Sequence, residues 1–119
     1  MKYLCLIYND EANMAKMGKN DFEGMMAEYF QFTSDIKQSG HYIGGEALQP
    51  VQTATTVRVR NGRISTTDGP FAETKEQLGG YYLIDVPNIE HALKWAAKCP
   101  GALSGSIEVR PVMDYSMSS

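Results

Sequence analysis

The run Tyr81-Tyr82-Leu83-Ile84-Asp85-Val86-Pro87-Asn88-Ile89 is where the architecture can be read most directly. From Tyr81 to Val86, apolar side chains occupy both parities, the pattern of a strand covered on two faces. Pro87 has no N–H for a ladder and ends it. Asn88 then serves as an N-cap for a helix over about 89–98, with Ile89, Leu93, Ala96 and Ala97 inward. Lys94 and Lys98 suit the negative end of its dipole, and Pro100-Gly101 break it. A final strand is expected from Ile107 to Val112, with Ile107 and Val109 inward.

Working toward the N-terminus, the chain repeats this alternation of strand and helix. Residues 1–8 form a strand with Leu4 and Leu6 on one side and Tyr3, Cys5 and Ile7 on the other, again apolar on both. A helix is predicted from about Asp21 to Ser39, capped by Asn20 or Asp21. Its stripe is Phe22, Met25, Met26, Tyr29, Phe30, Thr33 and Ile36, and Gly40 supplies the left-handed residue that stops it. Met14, Met17, Met25 and Met26 are read as core filling rather than as a pliant binding surface. His41 to Leu48 is a short strand interrupted by Gly44-Gly45, and Pro50 closes it. Thr55 to Thr66 is a hairpin, because Asn61-Gly62 between alternating runs specifies a two-residue turn with positive φ at both positions. Its register pairs Val59 with Ile64 and Val57 with Thr66, leaving Arg58, Arg60, Arg63 and Ser65 on the opposite face. Continued alternation puts Asp68 on the apolar face.

The element order is β-α-β-β-β-β-α-β, an α+β, ferredoxin-like β-α-β-β-α-β plan with an inserted hairpin. Two helices can cover only one face of the sheet, yet the first strand and the strand from Tyr81 are apolar on both. The bare face is expected to meet a second copy, giving a homodimer.

At 119 residues the chain is read as one domain over 1–119, able to bury roughly two-thirds of its unfolded surface. Hydrophobic and charged fractions of 43% and 21% are those of a globular protein. A net charge of −3 argues against nucleic-acid binding, despite the three hairpin arginines. Cys5 and Cys99 are too few for a disulfide framework and lack metal-ligand spacing, and Cys5 is read as a core residue. The first eight residues are too short for a signal peptide or membrane span, so a cytoplasmic protein is expected. The serine-rich tail from Met113 is expected to fray.

Asp68-Gly69-Pro70-Phe71-Ala72-Glu73-Thr74-Lys75-Glu76-Gln77-Leu78-Gly79 fits neither a helical nor a strand repeat and is read as an ordered binding loop. Asp68 has two readings. One is a buried carboxylate near Glu46, Glu73 and Glu76, its pKa raised for acid/base work. The other is a carboxylate bonded to the amides of its own turn. Glu73 and Glu76 can pair with Lys75 or the arginines, and Phe71 is read as an apolar anchor for the loop. Gly79-Gly80 permits a bulge or a close backbone approach. His41 is either solvated or paired with Glu46, and His91 has no assigned role. Neither a phosphate-binding glycine fingerprint nor a nucleophile elbow nor a two-histidine metal spacing is present, and no metal or cofactor is expected.

The run from Asp68 to Glu76, followed by Gly79-Gly80-Tyr81, resembles the DGPF signature of the YCII-related proteins. Gly45-Glu46-Ala47-Leu48-Gln49-Pro50 is similar to that family's G-E-x-L-x-P segment, and Gly105 through Pro111 to its C-terminal strand. The resemblance implies a ferredoxin-like subunit forming a dimeric α/β barrel, in a bacterial family often encoded beside extracytoplasmic-function sigma factors. Its wider superfamily includes lactone isomerases, dehydrochlorinase-like enzymes and cofactor-free monooxygenases. Some members carry a His–Asp pair; Asp68 would stand for its carboxylate, while His41 is not matched to the histidine. The expected site is a small-molecule cleft with Asp68 and Lys75 as catalytic groups and Glu46, Phe71, Glu73 and Tyr81 as ligand-binding groups. Cofactor-independent isomerisation or elimination is the expected chemistry. The rival expectation is a non-catalytic regulatory or interaction module.

Overall fold

The computed structural model describes residues 1–115, so the end of the serine-rich tail lies outside the described residues. Among the described residues there are six strands: β1 (Lys2–Asn9), β2 (Tyr42–Ala47), β3 (Thr55–Arg60), β4 (Arg63–Asp68), β5 (Gln77–Asp85) and β6 (Ser106–Pro111). Two longer helices, α2 (Lys19–Ser39) and α3 (Ile89–Lys98), are joined by two single turns, α1 (Glu11–Met14) and α4 (Gly101–Ser104). The main sheet has the order β2-β5-β1-β6 and is antiparallel throughout, the ferredoxin-like arrangement that the element order implies.

Tyr3, Cys5 and Ile7 of β1 point to the helices and are buried with Phe32 and Ile36 of α2, Ala92 of α3, and Ile84, Val86 and Cys99. Full burial of one such aliphatic side chain is worth about 1.5–3 kcal/mol. Leu4 and Leu6, on the other parity, stand opposite Leu83 and Tyr81 on a face that no helix covers. This is the one-sided layer expected from two helices on a four-stranded sheet.

The helices are correct in existence and differ in their faces. α2 begins at Lys19 behind Gly18, without a side-chain cap from Asn20 or Asp21. Phe32 is its buried aromatic, while Phe22 and Phe30, assigned to the stripe, are exposed at 49% and 69%. The helix carries apolar groups around much of its circumference, so several stripes fit its sequence. In α3, Asn88 accepts from the His91 amide at 3.1 Å, as a cap should. Its buried residues are Ala92 and Ala96, with Trp95 partly buried against the core, while Ile89, Leu93 and Ala97 are exposed.

Strand β5 starts at Gln77, not Tyr81, and β4 runs through Asp68, so the irregular segment shrinks to residues 69–76. Gly79 makes the longer strand possible: the register against β1 slips between Ile7 and Tyr8, opposite the glycine pair. A Cβ on Gly80 would meet the Glu46 carbonyl oxygen at 2.8 Å, so both expected uses of Gly79-Gly80 occur. The hairpin β3–β4 has the expected register, with Asn61 at φ 53° and Gly62 at φ 74°. It forms a sheet of its own, standing away from the main one. The radius of gyration is 16.6 Å, against about 13.5 Å for a compact chain of this length.

Candidate functional site

The open face of the main sheet is built by alternation. Leu4 and Leu6 of β1 and Tyr81 and Leu83 of β5 form its apolar centre. Strand β6 contributes Ser106, Glu108 and Arg110, because Ile107 and Val109 are taken by the helix side. Strand β2 contributes Glu46, directly opposite Tyr81. The Tyr8 hydroxyl donates to Glu108 at 3.2 Å, and the phenol pKa is raised, first by partial burial and then by this carboxylate. An apolar floor with polar groups at its margin can hold the body of a small molecule and orient its polar end.

The irregular segment enters this face from one end. Gly69 donates its amide to the Ala54 carbonyl at 2.7 Å, and the Thr56 hydroxyl bonds the Gly69 carbonyl at 2.8 Å, fixing the root of the hairpin. At the other end, Gln77 donates to the Thr74 carbonyl at 2.6 Å and accepts from the Glu11 amide at 2.9 Å. Glu11 in turn accepts from the Val51 amide at 3.2 Å, so α1 links the Gln77 end of the segment to the turn between β2 and β3. Glu76 accepts from Ser106 at 2.9 Å, which ties the segment across the sheet end to β6.

The residues singled out in the sequence fall into three places. Glu46 and Tyr81 are neighbours on the open face. Asp68 ends β4 opposite Thr55, on the valine side of the hairpin; it is exposed and accepts no hydrogen bond in the single chain. Thus neither the buried carboxylate nor the turn-bonded one is the state of Asp68 in the protomer. Glu73 and Lys75 are exposed on the segment, without ion pairs. Phe71 is not an apolar anchor: it is 80% exposed, with the Arg58 guanidinium 5.8 Å from its ring centroid. A cationic partner on the hairpin takes the place of the apolar pocket expected for it.

His41 does not pair with Glu46. Its Nδ1 lies 2.9 Å from the Asp85 carbonyl and its ring packs toward Trp95. Tyr8, Glu108, Arg110 and the Glu76–Ser106 link were not singled out in the sequence. The alternation of Ser106, Glu108 and Arg110 with Ile107 and Val109 was the signal that could have found the β6 residues.

Two further concavities lie on the helix side, away from all of these residues. A surface depression on α2 is bordered by Phe30, Thr33, Ser34, Lys37 and Gln38 and is too open to enclose a ligand. A cleft of about 390 Å³ between α1, α2 and α4 is lined by Met14, Met17, Met25, Tyr29 and Leu103 among others. Its methionines sit where core filling was expected, only partly buried. Among the described residues no three histidine, cysteine or carboxylate groups converge as a metal site, and no helix is long and apolar enough to cross a membrane.

Comparison with known proteins adds a family. The model of the YCII-related domain matches residues 1–116. An uncharacterised protein of Rhizobium meliloti (strain 1021) is 38% identical over 117 residues, covering 97% of this chain and 94% of the relative.

Proposed function

The chain belongs to the YCII-related domain family, and on that premise we propose that it is a homodimeric small-molecule-binding protein with a cofactor-independent acid/base site. The observation that carries this reading is the open sheet face: an apolar centre of Leu4, Leu6, Tyr81 and Leu83, bordered by Glu46, Glu108 and Arg110 and covered by no helix. These four side chains are half-buried, and an apolar sheet face that no helix covers favours an interaction or ligand site.

In this reading Glu46, Phe71, Glu73 and Tyr81 bind the ligand. Asp68 takes a proton from a carbon next to a carbonyl, and Lys75 balances the negative charge that develops on the carbonyl oxygen. Returning the proton to another carbon completes an isomerisation; losing a group from the neighbouring carbon completes an elimination. Both need water kept away from Asp68, which a second copy over the sheet would provide.

The test is proton NMR in D₂O with a panel of β-keto acids and unsaturated lactones. Wild-type protein should accelerate exchange or isomerisation of at least one. Asp68→Asn should slow it by about 10²–10⁴-fold, and Lys75→Met by about 10²–10³-fold. A pH–rate profile unchanged by Asp68→Asn would remove Asp68 from the role.

The exposed stripe of Val57, Val59 and Ile64 on the hairpin favours a second reading, a regulatory or interaction module that binds another protein such as an extracytoplasmic-function sigma factor. It predicts no turnover with any of the panel, and a partner retained through purification from the native host.

A further inference from the structure

We propose that the β3–β4 hairpin is an arm exchanged between two copies of the chain, its valine face closing over the open sheet face of the other copy. The inference rests on the homodimer reading above and adds what completes the site. Asp68 lies on the same side of the hairpin as Val57 and Val59, so exchange carries it from solvent toward the partner's Glu46 and Tyr81.

Four features of the single chain argue for this occupant. First, the hairpin is a two-stranded sheet with every residue of β4 exposed, and such a unit alone in water is marginally stable. Second, Val57, Val59 and Ile64 form one continuous stripe and are 59%, 56% and 75% exposed, although β-branched residues gain most from packing on a pleated surface. Third, the Gly69–Ala54 and Thr56–Gly69 bonds close the hairpin on itself at its root, and no ladder joins it to its own main sheet. Fourth, the chain itself carries a surface that fits the stripe: Leu4, Leu6, Tyr81 and Leu83 lie at the centre of a sheet face that no helix covers. A second copy offers that apolar sheet face to the valine side of the arm. Because the contact is isologous, each copy gives an arm and receives one.

The experiment places the photo-crosslinking residue p-benzoyl-L-phenylalanine at position 64 of the full chain, a site exposed enough to leave the protomer fold intact. Mixed ¹⁴N- and ¹⁵N-labelled dimers are irradiated and the adducts mapped by mass spectrometry. Inter-chain adducts on residues 2–9 or 77–85 are expected. Dimers whose adducts fall only within one chain or on other surfaces overturn the arm exchange and leave the homodimer standing. A lone protomer in light scattering overturns both, as does an adduct formed only with a different protein when irradiation is repeated in cell extract. Independently, Val59→Lys should raise the dimer dissociation constant by about tenfold or more with an unchanged far-UV spectrum. An unchanged dissociation constant also overturns the exchange.

Discussion

Gly105 is the position where one methyl group does most damage. A Cβ there would collide with the Tyr8 carbonyl oxygen and sit 2.5 Å from the Asn9 amide oxygen, backbone and short side chain that cannot move aside. Gly44, in β2, has nothing within 4 Å and a backbone that any residue can adopt. Gly105→Ala should therefore cost about 1–3 kcal/mol, and Gly44→Ala about 0.5 kcal/mol or less. Urea titration of the two variants checks the contrast; equal losses would contradict the collision. Such contacts are invisible in a sequence, where both are simply glycines in or beside a strand. The buried Cys5 was legible, since an apolar strand left it no other place. Its thiol is pushed up to about 11, first by burial and then by nearby Cys99. Cys99, Tyr29 and Tyr82 are raised in the same direction, each first by burial. Raised acids favour the protonated, folded form, so their contribution is complete below about pH 9 and is lost as pH climbs toward 11. The urea midpoint should fall between pH 8 and pH 10.5; a flat or rising midpoint would contradict the burial of these groups.

Elements were read best where the signal is local. Asn61-Gly62 fixed the hairpin register to the residue, because positive φ at two successive positions leaves few alternatives. Asn88 behind Pro87 fixed the start of α3 just as locally, through its side chain, which accepts from the His91 amide. Asn88→Ala should destabilise by about 1 kcal/mol, and its accepting bond to His91 makes thermal melting with Asn88→Asp as the rescue variant a direct check. Helix faces were read worse, since they depend on what the tertiary neighbour admits. The sheet takes Phe32 from α2 and alanines from α3, leaving Phe30 and Leu93 outside. The candidate site divides along the same line. The neighbours Glu46 and Tyr81 follow from strand pairing, whereas Phe71 beside Arg58 depends on how a segment without a repeat folds back. Strand β5 began earlier than its apolar run because a bulge at the glycines keeps Leu78 paired to Tyr8.

At the scale of the whole molecule, the chain is a layered body with an outlying arm, measuring 53 × 46 × 18 Å. The thin dimension is one sheet and one layer of helices, which leaves the second sheet face and both faces of the arm in water. The body and the arm should therefore differ in stability. Amides of β1 sit in the centre of the sheet, bonded on both sides by β5 and β6, and open only with the whole fold. Amides of β3 and β4 are held by one partner strand with no buried face, and open locally. If a second copy covers the arm, its protection must depend on protein concentration, because association stabilises by mass action while intramolecular bonds do not. Hydrogen exchange at low and high protein concentration should thus slow at the ladder-bonded amides of Arg58, Arg60 and Ser65, and also at Cys5 and Leu6, whose opening by global unfolding requires the dimer to part. Arm protection that is already complete in dilute protein, or that never rises with concentration, would mean that something within the single chain holds the hairpin or that nothing covers it.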